Sequence, residues 1–253
     1  MAEHSQFSSL FRDRADLYAR ARPEYPVDLF RDLAGHCGSR SLAWDCACGN
    51  GQAAIGIATH FDRVYATDIS EEQLGHARPH PRVSYALAPA EASGLADACC
   101  DLVCVAQALH WFDYDRFWPE VHRVLRPGGV FAACGYTWPC LEPDLHRAFQ
   151  QFILDPIAPH WASRNRLLWN HYRDLEFPFE VIAMPDYGMR VRWTLDQFFG
   201  FIETFSATRR CVEAHGRAFI ERAYEALAPL WGDPDTRRAI PLDFVLYAGR
   251  KIG

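Results

Sequence analysis

Short apolar runs alternate with helix-like stretches between residues 42 and 135, and this alternation constrains the fold more than any other feature of the chain. It is typical of βαβ units, in which crossover helices join parallel strands of one sheet. The pattern predicts five strands in this part of the chain, at 41–46, 63–68, 82–87, 101–106 and 130–134. Another strand, at 244–248, stands where a doubly wound domain closes its sheet. We therefore expect an α/β fold with a doubly wound, mostly parallel sheet.

The pattern changes after residue 140. Further elements are predicted there: a helical stretch at 144–175, a strand at 189–193 and a helix at 215–229. Pro156 and Pro159 interrupt the helical stretch, because proline breaks a helix interior. We expect a single domain spanning residues 1–253, with a cofactor-binding core at 42–135 and a helical lid or substrate-side insertion at 140–190.

Gly49-Asn50-Gly51 follows the first strand, at the strand end where open α/β sheets bind their ligands. The run Gly49–Ala54 fits the loose dinucleotide fingerprint G-x-G-x-x-A, so nicotinamide chemistry is one candidate. Asp45, just before the loop, favours another ligand, because a carboxylate there suits an ammonium group and repels a pyrophosphate. Asp68 ends the second strand and can accept hydrogen bonds from ribose hydroxyls of either cofactor class.

Several motifs in this order resemble those of class I S-adenosylmethionine-dependent methyltransferases. The similar segments are Trp44–Ala53 (motif I), Asp68 (the motif II acid), Ala88–Glu91 (the adenine-side loop), Asp101–Val103 with Gln107–Phe112 (motif IV) and Arg126–Gly129 (the turn before strand five). Upstream, Tyr18 and Arg22–Pro26 resemble the type 11 group, which includes trans-aconitate methyltransferase-like enzymes. The resemblance implies a seven-stranded Rossmann-like sheet and S-adenosyl-L-methionine as the cofactor.

The resemblance also implies a role for each matching position. Asp45, Gly49, Asn50 and Gly51 would hold the methionine moiety, Asp68 the ribose, Ile69 and the Ala90 N–H the adenine, and Gln107 would lie beside the sulfonium. Two positions depart from the family pattern. Ala47 replaces the first glycine of motif I, so that point of the backbone must accommodate a Cβ. Pro89 stands where many relatives carry an adenine-binding Asp, and Glu91 is the candidate substitute.

Methyl transfer requires no protein nucleophile, and it requires a general base only when the acceptor arrives protonated. His110 is the candidate base, with Trp111 and Tyr18 as further candidate catalytic residues. His110 is equally consistent with a histidine that bonds the backbone and shapes the pocket, and Trp111 with core packing. The acceptor is expected to be a small molecule; one class considered is a carboxylate, which needs no base.

Composition narrows the range of partners. The formal net charge of −6 argues against coating a nucleic acid, since an acidic chain repels phosphates. No apolar run is long enough for a membrane span, and charged residues interrupt any signal-peptide pattern. The nine cysteines lack metal-ligand spacing, so we expect reduced thiols, no metal, and a cytoplasmic monomer or homodimer. Two alternative functions stay open at this point: a nicotinamide-dependent oxidoreductase and a cofactor-binding protein without catalytic activity.

Overall fold

The computed structural model describes residues 22–252, which form two compact units. The larger one, the sheet unit, comprises Glu24–Trp138, Arg164–Met189 and the chain from Asp243 onward. The helical unit comprises, within the described residues, mainly Pro139–Ser163 and Arg190–Leu242. The expected insertion at 140–190 is thus divided between the two units, with 140–163 in the helical unit and 164–189 in the sheet unit.

Eight strands are present among the described residues: β1 Ala43–Cys46, β2 Val64–Asp68, β3 Val83–Leu87, β4 Cys100–Ala106, β5 Leu125–Pro139, β6 Glu180–Val181, β7 Arg190–Trp193 and β8 Arg238–Arg250. Seven of them follow one another across the sheet in the order β3-β2-β1-β4-β5-β8-β6, and β7 pairs with the first residues of β8. The pairs β1–β2, β1–β4, β2–β3 and β4–β5 are parallel. The expected doubly wound, mostly parallel seven-stranded sheet is confirmed.

The strand order reverses at β1, which lies between β2 and β4. The chain first builds outward to β3 and then returns to the other side of β1. In doubly wound folds the connections on the two sides of such a reversal diverge and leave a crevice at the carboxyl ends of the strands. The glycine loop after β1 lies at this point of the sheet unit.

The α-helices, in chain order, are α1 Val27–His36, α2 Gln52–Ala58, α3 Glu71–Gly75, α4 Tyr114–Val124, α5 Pro143–Phe149, α6 Asp155–Ile157, α7 Asn165–Trp169, α8 Leu195–Glu203, α9 Ser206–His215 and α10 Ala218–Trp231. A π-helical turn at Gln150–Leu154 and 3₁₀ turns at Leu109–Trp111 and Ala158–His160 complete the helical structure. None of these helices combines the length and apolar character needed to cross a bilayer.

Both faces of the sheet are covered by helices, which explains why β1 and β4 have continuous apolar runs rather than alternating ones. On one face Ala43 and Leu102 belong to an apolar cluster with Leu29 of α1 and Ile57 of α2. On the other face Trp44 and Val103 belong to a second cluster, which includes Phe117 and Val121 of α4. These two layers hold the strand ends, and therefore the loops after them, in fixed positions.

Two helices begin with a side-chain cap. The Ser70 hydroxyl caps α3 by accepting from the Gln73 N–H, and Thr194 caps α8 in a capping box with Gln197. Two boundaries differ from expectation. β5 begins at Leu125 rather than residue 130, because Gly128 and Gly129 already exchange backbone hydrogen bonds with Lys251. The helix predicted at 215–229 begins only at residue 218, because Gly216 has a φ of +77° and ends α9 there.

Candidate active site

The glycine loop, residues 47–51, is held by its own backbone and by β2. The Cys48 N–H donates to the Thr67 carbonyl at 2.9 Å, and the Gly51 N–H donates to the Cys48 carbonyl at 2.9 Å. Ala47, Gly49 and Gly51 all have positive φ, of +57°, +54° and +81°. The positive φ of Gly51 already favours glycine. The space around it does so as well, because a Cβ there would overlap the ring and hydroxyl of Tyr85. Ala47, which replaces the usual glycine of motif I, adopts the left-handed conformation even though it has a Cβ.

Asp45 lies on β1 just before this loop, and its side chain is completely buried. Neither carboxylate oxygen has a hydrogen-bonding partner within residues 22–252. Burial raises the pKa of Asp45 to about 7; the Ala54 amide at the start of α2 lowers it partly without meeting hydrogen-bond geometry, and the negative charge of Asp68 raises it further. A buried carboxyl group beside a ligand loop, with no protein donor in the described chain, is strongly receptive to a hydrogen-bond donor or a cation.

Asp68, at the end of β2, joins the glycine loop to the next helix. Its Oδ2 accepts from the Gly49 N–H and its Oδ1 accepts from the Ser70 N–H, both at 2.8 Å. Each carboxylate oxygen can accept more than one hydrogen bond, so both retain capacity for a ligand hydroxyl. Asp68 therefore fixes the loop and can bind a ligand at the same time.

Apolar side chains flank Asp68. Ile69 is 75% exposed, and Leu87, the register partner of Asp68 on β3, is 61% exposed. Ala90 is buried, whereas the Oε1 of Glu91 accepts from the Asp113 N–H at 3.0 Å, at the start of α4. Glu91 thus has a structural partner, and its suggested role toward adenine stays a prediction.

Gln107 follows β4 with a φ of +60°. Its Nε2 donates to the Tyr136 carbonyl at 3.0 Å, while its Oε1 is buried without a hydrogen bond in the described chain. Gly135 makes room for this side chain: a Cβ added there would lie 2.7 Å from Gln107 Oε1 and 2.9 Å from Leu168 Cδ1. A left-handed non-glycine residue with an unmatched buried oxygen is typical of a ligand-binding position.

The catalytic candidates lie just beyond Gln107 in a 3₁₀ turn. His110 is buried, and its Nδ1 lies 3.2 Å from the Tyr172 hydroxyl. Trp111 is half-exposed, with its ring centroid 4.7 Å from that of His110. Arg164 holds the turn by donating to the carbonyls of Trp111 and Phe112 at 3.0 and 2.8 Å. Tyr18, the third candidate, lies outside the described residues.

Comparisons with known proteins show which family this chain resembles. A family model described as a methyltransferase domain, of type 11, matches residues 44–133. An uncharacterized methyltransferase of Mycobacterium tuberculosis is 38% identical over 191 residues, covering 70% of this chain and 76% of that protein. A methyltransferase of Dictyostelium discoideum is 25% identical over 248 residues, covering 96% of this chain and 94% of the relative.

A solved structure, assigned as a type II methyltransferase of Anaeromyxobacter dehalogenans, superposes with a TM-score of 0.83 at 39% identity. The superposition covers 91% of this chain and 98% of that one. The chain belongs to the class I S-adenosylmethionine-dependent methyltransferases. The methyltransferase identity confirms the resemblance read from the motifs and leaves the nicotinamide alternative without support. The likeness to trans-aconitate methyltransferases within the type 11 group stays a prediction.

The methyltransferase contains one arrangement that sequence reasoning missed. His171 Nε2 lies 2.8 Å from Asp243 Oδ2, and the Thr137 hydroxyl donates to the same oxygen at 2.6 Å. The three residues come from the turn after α7, from β8 and from the end of β5. Their separation of 72 and 106 positions leaves no local pattern, so no spacing signal could have found them.

Proposed function

We propose that this methyltransferase binds S-adenosylmethionine at the carboxyl ends of β1, β2 and β4 and transfers its methyl group to a small-molecule acceptor. The observation that carries the proposal is the buried carboxyl group of Asp45 beside the glycine loop, with both oxygens unmatched in the described chain. The residues of the loop and of the neighbouring strand ends fit the parts of this cofactor.

Asp45 fits the amino-acid end. An ammonium group carries three donors, and it would satisfy a carboxylate whose burial without a partner costs free energy. Asp45 precedes the loop on β1 and Asp68 accepts from the Gly49 N–H, so a pyrophosphate in the loop would meet two carboxylates. The pair therefore favours a ligand with an ammonium group over a dinucleotide.

Asp68, Ile69 and Leu87 fit the nucleoside end. The Asp68 carboxylate retains acceptor capacity for ribose hydroxyls while it holds the Gly49 and Ser70 amides. Ile69, the next residue, and Leu87, the register partner of Asp68 on β3, expose large apolar surfaces next to it, which suits an adenine ring. The Ala90 N–H and Glu91 are proposed at the ring edge, as the family resemblance implies.

Gln107, His110 and Trp111 are proposed at the acceptor side. When bound, S-adenosylmethionine supplies an activated methyl group for in-line displacement. The protein contributes orientation, and effective molarities from alignment are equivalent to about 7–11 kcal/mol. The strained turn at Gln107 and the Arg164 clamp on the Trp111 carbonyl fix these side chains before an acceptor arrives. The methyl transfer itself leaves the acceptor class open: a carboxylate would need no proton removed, whereas a hydroxyl or an amine would need a general base.

Titration calorimetry with S-adenosylmethionine, its demethylated product and NADH tests the proposal. We expect both sulfur ligands to bind and NADH to give no heat. Asp68→Asn should weaken the binding of the demethylated product, whereas Asp62→Asn, a change at an exposed aspartate away from the loop, should not. Binding of NADH, or no binding of either sulfur ligand, would contradict the proposal.

A further inference from the structure

The turn after α7 places two histidine contacts side by side in the sheet unit. His171 pairs with Asp243, and the next residue, Tyr172, contacts His110. We propose that His171, oriented by Asp243, is the general base of this methyltransferase, and that the acceptor therefore arrives as a protonated hydroxyl, amine or thiol. The inference rests on the proposed methyl transfer and names the class of acceptor for it.

The hydrogen bonds fix which ring nitrogen of His171 is basic. A carboxylate is an acceptor only, so a neutral His171 donates its Nε2–H to Asp243 Oδ2 and carries its lone pair on Nδ1. Thr137 donates its hydroxyl to the same oxygen and holds the carboxylate in place. Nδ1 makes no hydrogen bond to the described residues, and the His171 side chain is 35% exposed. The ring therefore presents a basic nitrogen to a small molecule.

The charge distribution also suits a base. The Asp243 carboxylate contacts Nε2 at 2.8 Å, on the side of the ring opposite the nitrogen proposed to take the proton. This is the relation between carboxylate and histidine found in enzymes that remove a proton from a nucleophile. His110, by contrast, is buried, and its Nδ1 faces a hydroxyl rather than a carboxylate.

The backbone of the turn supports a functional role for both side chains. His171 and Tyr172 have φ values of +54° and +55°, in the left-handed region where glycine is the favourable residue. Two consecutive side chains kept in this conformation indicate that the side chains themselves are needed, because such strain concentrates at functional positions.

Contacts along β5 relate this turn to the Gln107 position. A Cβ added at Gly135 would meet both the Gln107 amide and Leu168, so these two side chains lie over the same residue of β5. The His171 N–H donates to the Leu168 carbonyl at 2.9 Å. Thr137 lies two residues further along β5, and side chains two apart share a face of a strand. His171 and Gln107 thus lie at the same end of β5, Gln107 being the residue proposed beside the reacting methyl group.

The reaction balances with these groups. A bond forms between the acceptor heteroatom and the methyl carbon, and the carbon–sulfur bond breaks with its electron pair passing to sulfur, which becomes a neutral thioether. The acceptor proton passes to His171 Nδ1 and then to solvent. No oxidant, metal or further reactant is required.

Two measurements test the proposal on the full chain. In the first, the enzyme is incubated with S-adenosylmethionine labelled in its methyl group and a deproteinised cell extract as the pool of acceptors. Mild alkali then separates labelled methyl esters, which release the label, from ethers, amines and thioethers, which keep it. We expect alkali-stable products, and a fall in turnover of at least about 100-fold in His171→Asn with little change in the KM for the cofactor. Asparagine is chosen because it tolerates the left-handed conformation.

Control variants distinguish a general base from a residue that only stabilises the structure. Asp243→Asn should lower turnover less than His171→Asn, and His146→Gln, at an exposed histidine of α5, should leave it unchanged. Added imidazole should restore part of the turnover of His171→Asn, which no structural repair would do. Alkali-labile methyl esters formed at the wild-type rate by His171→Asn would overturn the proposal.

The second measurement does not depend on knowing the acceptor. Long-range proton–nitrogen spectra of the histidine-labelled enzyme report the tautomer of His171, which is assigned by its loss in His171→Asn. We expect the Nε2–H form, changing in Asp243→Asn; an Nδ1–H form in the wild-type enzyme would overturn the proposal. Absence of any labelled product with the wild-type enzyme would contradict the proposed methyl transfer itself, whereas an Nδ1–H tautomer in an enzyme that forms labelled product would contradict only the assignment of the base.

Discussion

Two parts of the sheet unit differ in how they are built. One is the proposed cofactor side around the ends of β1 and β2, and the other is the proposed acceptor side, formed by residues after β4, at the end of β5 and in β8. On the cofactor side the contacts are made largely by backbone groups close in sequence: Asp68 holds amides only 2 and 19 residues away. On the acceptor side, pairs of side chains 62, 72 and 106 residues apart define the arrangement. A local motif can encode the first kind of site but not the second.

Gly51→Ala should have the largest effect, because it disrupts the glycine loop, where backbone groups make most of the contacts. The left-handed conformation costs a residue with a Cβ about 1–2 kcal/mol, and the overlap with Tyr85 adds about 1–3 kcal/mol. We expect a large loss of stability in urea denaturation and loss of cofactor binding by calorimetry.

Gly94→Ala is the matched control. Gly94 also has a positive φ, of +76°, but a Cβ there meets nothing within 4 Å. Gly94→Ala should lower the free energy of unfolding only by the cost of the left-handed conformation, about 1–2 kcal/mol, and should leave cofactor binding intact. Equal losses in the two variants would show that contact with Tyr85 does not matter.

The same difference explains what the sequence could predict. Asp45, the glycines and Asp68 lie within 24 residues of chain, and strand ends of a parallel sheet meet at one edge, so their grouping follows from the strand pattern alone. His171 and Asp243 are two of 11 histidines and 32 acidic residues, and nothing local marks them. They meet because β8 lies beside β5 in the sheet, a neighbour relation between strands far apart in the chain.

Smaller differences between the sequence predictions and the structure also arise from contacts between residues far apart in the chain. The early start of β5 depends on Lys251, more than 120 residues away along the chain. The partner of Glu91 is an amide at the start of α4, which the family resemblance did not indicate. Gly216, in contrast, is a local signal, because its positive φ ends α9 and so separates it from α10.

Tyr172→Phe tests a long-range contact on the proposed acceptor side. The change removes only the buried hydroxyl that contacts His110, so we expect a loss of about 0.5–1.5 kcal/mol in urea denaturation. Binding of the demethylated cofactor should be unchanged, because the cofactor side does not use this contact. Tyr65→Phe is the control, since its hydroxyl makes no hydrogen bond to the described chain, and it should be close to neutral. A neutral Tyr172→Phe would mean that the long-range pair contributes nothing.

Ala47→Gly should have the smallest effect, and it should be stabilising. Relief of the left-handed alanine gains about 1–2 kcal/mol, and the greater freedom of glycine in the unfolded chain offsets about 0.4–1 kcal/mol of it. Ala98→Gly, at another positive-φ alanine, should gain a similar amount in thermal denaturation without touching the loop. Destabilisation by Ala47→Gly alone would show that the methyl group of Ala47 packs usefully in the loop.

If Asp45 binds the cofactor as proposed, its charge links binding to pH, and the sign follows from its pKa of about 7. The folded-state pKa is raised above the ordinary value of 3.8, so below pH 7 the empty enzyme holds this carboxyl group protonated. An ammonium ligand favours the carboxylate and lowers that pKa, so binding at pH 6 must release a proton. The same linkage predicts that folding stability of the empty enzyme declines as pH rises from about 4 through 7, a decline that Asp45→Asn should remove.

The proton released on binding is therefore the most direct test of the central claim, that Asp45 recognises the ammonium group of the cofactor. Calorimetry of the demethylated cofactor at pH 6, in two buffers of different ionisation enthalpy, measures it. We predict release approaching one proton per site in the wild-type enzyme and in Asp62→Asn, with none and weaker binding in Asp45→Asn. Equal heats in both buffers for the wild-type enzyme, or undiminished binding by Asp45→Asn, would contradict the claim.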